Sequence, residues 1–185
     1  MRLVVGISGA SGVIYGIRAL EVARDLGIET HLVISKYGQA TISLETDYSV
    51  SAVKALAHRV YSPDDLAAAI ASGSFPTDGM MVCPCSINTA SAIAYGLSDN
   101  LLVRAADVTL KEKRKLVVVV RETPLHVGHL RTLTALAEMG AVILPPMPAF
   151  YLKPSTVEEI VMHTVARVFA QFGVEVPGAP KWEGP

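Results

Sequence analysis

The sequence predicts a three-layer α/β fold, one mostly parallel sheet with helices on both faces. Three observations predict it. Short apolar, β-branched runs alternate along the chain with longer stretches of helical period. The first run leads straight into a small-residue loop and then a helix, the opening of a βαβ unit. Mean hydropathy is high at +0.41, yet no uninterrupted apolar stretch reaches the roughly 18 residues of a membrane span. Strands buried on both faces account for that surplus, with subunit interfaces adding to it. The architecture expected is Rossmann-like (flavodoxin-like). The 185 residues suit a single domain, 1–185, with a Pro/Gly-rich tail over 173–185.

The elements follow in order. Leu3–Ser8 reads as a strand and Gly9-Ala10-Ser11-Gly12 as a tight loop. Val13–Leu26 is a helix stopped by Gly27. Glu29–Ser35 is the second strand, and Tyr37–Leu44, Ser49–His58 and Leu66–Ser72 are helical. Gly79–Cys83 is a buried strand interrupted by Pro84. Ser86–Tyr95 and Asn100–Lys113 are helices, and Lys115–Val120 is a β-branched strand. Thr123-Pro124 looks like the cap and first turn of a helix ending at Gly140. Ala141–Leu144 is a strand closed by Pro145-Pro146. Ser155-Thr156-Val157-Glu158 opens the last helix in a capping-box pattern, and that helix runs to about Phe172.

Charge narrows the functional classes. The formal net charge is -1, so no global basic field recruits nucleic acid. The opening Met1–Val5 enters a strand pattern directly, so no signal peptide is expected, and the location expected is cytoplasmic. Cys83 and Cys85 are two residues apart, a poor spacing for a disulfide, and reduced thiols fit that location.

In open parallel sheets ligands bind beyond the carboxyl ends of the strands. Those ends carry the candidate residues. Gly9-Ala10-Ser11-Gly12 lets backbone amides approach a phosphate at a helix N-terminus, or is simply a packing turn. Cys85-Ser86-Ile87-Asn88-Thr89 is a second strand-to-helix junction, whose hydroxyls cap the helix, bind phosphate, or both. Arg121-Glu122 follows a buried strand: a guanidinium suited to phosphate and a carboxyl suited to proton transfer, or a surface ion pair. Pro145–Tyr151 is a stiff aromatic segment that could wall an apolar pocket. Arg167 lies among apolar residues of the last helix, where a solvent-facing arginine is the simpler account. His126 and His129 are three apart without a third ligand, so no metal site is expected there.

Together these residues resemble the UbiX/Pad1 family, the flavin prenyltransferases that serve UbiD-type decarboxylases. The resemblance covers nearly the whole chain. It rests on G-A-S-G at Gly9–Gly12, I-S-K at Ile34–Lys36, L-E-T-D at Leu44–Asp47 and C-P-C-S at Cys83–Ser86. R-A-A-D-V-x-L-K-E at Arg104–Glu112, R-E-T-P at Arg121–Pro124, G-A-V-I-L-P at Gly140–Pro145, F-Y at Phe150-Tyr151 and V-A-R at Val165–Arg167 complete it. Where the family often has S-M-K-T, this chain has Ser86-Ile87-Asn88-Thr89, which keeps backbone contacts and lacks a lysine.

The resemblance implies that Gly9, Ala10, Ser11, Ser35, Ser86, Ile87, Asn88, Thr89 and Arg121 hold FMN. It implies that Lys111, Arg121, Glu122, Tyr151, Arg167 and Trp182 hold the prenyl phosphate, with Glu122, Ser11 and Glu45 at the reacting centre. The reaction implied joins dimethylallyl, from dimethylallyl (mono)phosphate, to N5 and C6 of reduced FMN without a metal. Sites in this family lie between subunits of a dodecamer, so a homo-oligomer is expected. Two other readings stand beside it. One is an FMN-dependent cysteine decarboxylase, whose P-x-M-N pattern is not matched by Pro145-Pro146-Met147-Pro148. The other is a non-catalytic flavin carrier, or partner subunit, of a decarboxylase.

Overall fold

The computed structural model describes residues 1–179. Among them the chain runs β1 (Arg2–Ile7), α1 (Val13–Asp25), β2 (Glu29–Ile34), α2 (Lys36–Glu45), α3 (Val50–Lys54) and β3 (Arg59–Tyr61). It continues with β4 (Gly79–Cys85), α4 (Ile87–Ala94), α5 (Leu101–Lys111), β5 (Lys115–Val120), α6 (Val127–Glu138), β6 (Val142–Ile143) and α7 (Val157–Ala170). Short 3-10 turns lie at Ala69–Ala71 and Phe150–Leu152. The sheet order is β3-β2-β1-β4-β5-β6, and every pairing is parallel. The order reverses between β1 and β4, the switch point at which such sheets open a crevice.

Alternation along the strands builds two apolar layers. Leu3, Val5 and Ile7 of β1 pack with Ile17 and Leu20 of α1 and with Val165 and Phe169 of α7. Val4 of the same strand joins Met80, Val82, Leu101, Leu102 and Leu136 on the opposite face. The side chains named here are 0–2% exposed, so both faces of the central strands are sealed. Burial of each large one contributes about 1.5–3 kcal/mol.

Four expectations are corrected. β3 was not expected: it is a three-residue edge strand, mostly exposed, and it follows α3, which is shorter than the Ser49–His58 helix read from sequence. The Leu66–Ser72 helix is only the 3-10 turn Ala69–Ala71. Thr123-Pro124 does not open α6. His126 does, its Nδ1 accepting from the amides of Gly128 (3.0 Å) and His129 (3.4 Å). The last helix is capped one residue later than read. Thr156 accepts from the Glu159 amide, and the Glu159 carboxylate reaches back to Ser155. Glu159 is correspondingly held below the usual carboxylate range by its bonds to Ser155.

Among the described residues no helix is long and apolar enough to cross a membrane. Both cysteines are free and fully buried in β4. Burial pushes their thiols up, Cys85 to about 12, which keeps them neutral and poor nucleophiles.

Candidate functional site

The carboxyl ends of β1, β2, β4 and β5 bring one group of candidate residues to the switch point. After β1 the chain turns through Gly9, Ala10 and Ser11, with Ala10 buried and Ser11 exposed. Gly9 sits against α2: a Cβ there would lie 2.4 Å from that of Tyr37. Ser35 follows β2 and caps α2, accepting from the Gly38 amide at 3.0 Å. Ser86 follows β4 and caps α4, accepting from the Thr89 amide at 3.2 Å and donating to the Thr89 hydroxyl at 3.0 Å. Each cap binds one amide of its helix and leaves other first-turn amides, with the positive end of the helix dipole, for an anion. Ile87 is half-buried against the α4–α6 layer, and Asn88 is exposed on the first turn of α4.

Arg121 follows β5. Its amide donates to the Cys85 carbonyl at 3.1 Å, while its side chain is exposed and makes no hydrogen bond or ion pair among the described residues. A guanidinium left over at a strand end, one strand from the N-terminus of α4, suits a phosphorylated ligand. Glu122 is half-buried, and its carboxylate accepts from the Thr123 amide at 3.1 Å.

The glycine loop behaves differently from its expected role. Gly12 has φ +97 at the start of α1, a conformation that favours glycine, and it therefore brings no capping side chain. Glu45, the last residue of α2, takes that place. Its Oε2 accepts from the amides of Gly12 (2.8 Å) and Val13 (3.3 Å). The anion at the head of α1 is thus the protein's own carboxylate. A bound phosphate fits α2, α4 and Arg121 better, because at α1 it would meet a like charge. The pairing brings Glu45 beside Ser11, and no sequence signal joins residues 33 apart across two elements.

The other candidates lie elsewhere in the protomer. Lys111 ends α5, four residues before β5 begins, at the edge where strands start. It pairs there with Glu112, against Gly73. The six-residue β5 puts roughly 20 Å between that edge and Arg121. Tyr151 and Arg167 share a third place, a cavity of about 490 Å³ between α7 and the chain that follows it. His163, Ala170, Val174 and Glu175 also line it. His163 was not singled out in the sequence. Its ring meets Tyr151 edge-on, centroids 6.5 Å apart, and burial, then Arg167, lowers its basicity. Trp182 lies outside the described residues. One chain therefore carries three separate groups of candidate residues.

The rings of His126 and His129 meet at a tilt of 32°, centroids 3.5 Å apart. The Nδ1 lone pair of His126 is committed to the α6 amides, which leaves that atom no capacity for a metal. Among the described residues no three His, Cys, Asp or Glu side chains cluster as metal ligands.

Comparison with known proteins places this geometry. The model of the flavoprotein family matches residues 1–169. The flavin prenyltransferase UbiX of Escherichia coli K12 is 55% identical over 186 residues, covering 99% of this chain and 98% of that protein. The crystal structure of AnUbiX (PadA1) in complex with FMN and dimethylallyl pyrophosphate superposes with a TM-score of 0.98 at 47% identity, covering 100% and 98% of the two chains. A dodecameric FMN-dependent UbiX-like decarboxylase from Escherichia coli O157:H7 also gives 0.98, at 53% identity over 100% of both chains.

Proposed function

The chain belongs to the flavoprotein family, in its flavin prenyltransferase branch, and from that premise we propose that it joins a dimethylallyl group, carried by dimethylallyl phosphate, to N5 and C6 of reduced FMN. The product is prenylated FMN, destined for a UbiD-type decarboxylase. The observation that carries the reading is likeness to flavin prenyltransferases along the full length in both sequence and fold.

The residues present fit the flavin nucleotide. Ser86 and Thr89 stand at the N-terminus of α4, and Arg121 one strand away has a guanidinium to spare, a donor set for one phosphate, while Ser35 heads α2 on the other side of β1. Gly9, Ala10 and Ser11 border the same crevice, with Ile87 and Asn88 on its α4 side. The reduced flavin supplies the nucleophilic atoms. As the carbon–oxygen bond to phosphate breaks, negative charge grows on the departing oxygens. Lys111, Arg121, Tyr151 and Arg167 are the groups that stabilise it. Glu122 passes a proton between that phosphate and the flavin. Glu45 holds the loop bearing Ser11 at the reacting centre.

Because the three groups are apart in one protomer, the working site is assembled from several. A homo-oligomer, the dodecamer of the UbiX-like relative, supplies Lys111 from one copy and the Tyr151–Arg167 cavity from another. The enzyme works in the cytoplasm, in keeping with its unpaired cysteines.

The test is direct. Purified protein is incubated anaerobically with reduced FMN and dimethylallyl monophosphate, and the extracted flavin is weighed by mass spectrometry. A flavin heavier by one five-carbon unit, formed with no decarboxylase present, is expected. Unmodified FMN with both the monophosphate and the diphosphate would overturn the reading in favour of a flavin carrier or a thiol-oxidising relative.

A further inference from the structure

Ser8 is a buried polar residue that none of the roles above uses. It is 0% exposed and sits one residue beyond β1, at the switch point between β1 and β4. The ladder between β1 and β4 runs from Leu3↔Gly79 to Gly6↔Val82 and stops. The pairing of β4 with β5 is irregular over the same stretch, between Val82 and Cys85. Pro84 lies inside the irregular segment and has no amide proton to give.

Ser8 bridges the gap. Its amide donates to the Pro84 carbonyl at 3.2 Å, and its hydroxyl donates to the same oxygen at 3.0 Å. The Ser86 amide then donates to the Ser8 hydroxyl at 2.7 Å. In a regular parallel ladder that amide would go to the Ser8 carbonyl. Taking it on the side chain lets the backbone leave the sheet at Gly9 while the strand ends stay tied. The next link runs across β4, where the Arg121 amide donates to the Cys85 carbonyl at 3.1 Å. A continuous chain of bonds thus connects the Gly9–Ser11 loop, the Ser86–Thr89 turn and the Arg121 backbone.

We propose that Ser8 is a positioning residue for the flavin: its hydroxyl sets the spacing of the two strand ends between which the nucleotide lies. The inference rests on the flavin site proposed above. Both the donor and an acceptor position of the hydroxyl are in use, so its loss leaves Pro84 O one donor short and the half-buried Ser86 N without this partner. Ser86 and, through Cys85, Arg121 then lose their fixed separation from the glycine loop.

The experiment titrates FMN into the full chain, parent against Ser8→Ala and Ser8→Cys, following flavin absorbance and fluorescence, with thermal unfolding of the flavin-free proteins in parallel. Ser8→Ala is expected to weaken FMN about tenfold or more and to shift the spectrum of the bound flavin. Ser8→Cys keeps the shape with a weak donor and acceptor and should fall between. If Ser8→Ala does not fold, Ser8→Cys decides. Parent affinity and an unchanged spectrum in the folded variant, even with a lowered Tm, would reduce Ser8 to a structural contact and overturn the proposal. FMN binding is read apart from prenyl transfer, so a missing product would count against the transferase reading alone.

Discussion

The two edges of the sheet are built on opposite principles. Where the strands start, polar groups are consumed. Arg2 donates to Glu29 and to the Pro76 carbonyl, and its guanidinium lies over the Phe75 ring. His31, 3% exposed, bonds Glu29 with one ring nitrogen and Tyr61 with the other. Arg114 donates to the carbonyls of Gly73 (2.7 Å) and Phe75 (2.9 Å) and to the Thr77 hydroxyl (3.3 Å). Where the strands end, Ser35 and Ser86 satisfy only their own helix caps, and Arg121 is left over. One edge staples loops; the other leaves donors for a ligand. Charge alone therefore does not mark a functional surface here. The informative arginine is Arg121, left unpaired among the described residues at the strand ends.

Four substitutions or titrations probe this contrast, from the largest expected effect to the smallest. Glu122→Gln removes the proposed proton carrier and should slow single-turnover product formation by about 10²–10⁴-fold while FMN still binds. Equal rates would remove Glu122 from that role. Arg121→Met deletes the spare guanidinium. FMN affinity should fall about 10–100-fold in a fluorescence titration, with stability nearly unmoved, because no intramolecular bond of its side chain is lost. Arg114→Ala is the mirror case: about 1.5–3 kcal/mol of stability lost in a denaturant melt, with parent FMN affinity. A lowered FMN affinity in that variant would erase the distinction between the edges. Glu29 gives the smallest effect. Arg2, then His31, hold its carboxyl down at about 2, so its stabilising contribution is present above about pH 4.5 and is lost as pH falls from there toward 2. Glu29→Gln should flatten that part of an acid-unfolding curve.

Much of this was legible in the chain. β1, β2 and β5 announce themselves as β-branched runs, because strands sealed on both faces need apolar residues at every position. Ser35, Ser86 and Arg121 could be assigned to strand ends for the same reason. β3 could not, since three exposed residues at an edge carry no period. His126 as a cap was hidden behind a threonine–proline pair that imitates a helix start. Contacts made only by folding left no trace in sequence: Glu45 at the head of α1, and Ser8 against Pro84 and Ser86. Lys111 was legible as a family residue, whereas its distance from the crevice is a fact of topology.

The outermost strands carry one more consequence. β3 has three residues and β6 two, so neither side of the sheet offers a long row of unpaired amides and carbonyls. Another chain arriving edge-on could add only a stub of ladder. Among the described residues strand addition has little to build on, so any contact between copies falls to helices and loops. Those are surfaces on which side chains, rather than backbone, choose the neighbour.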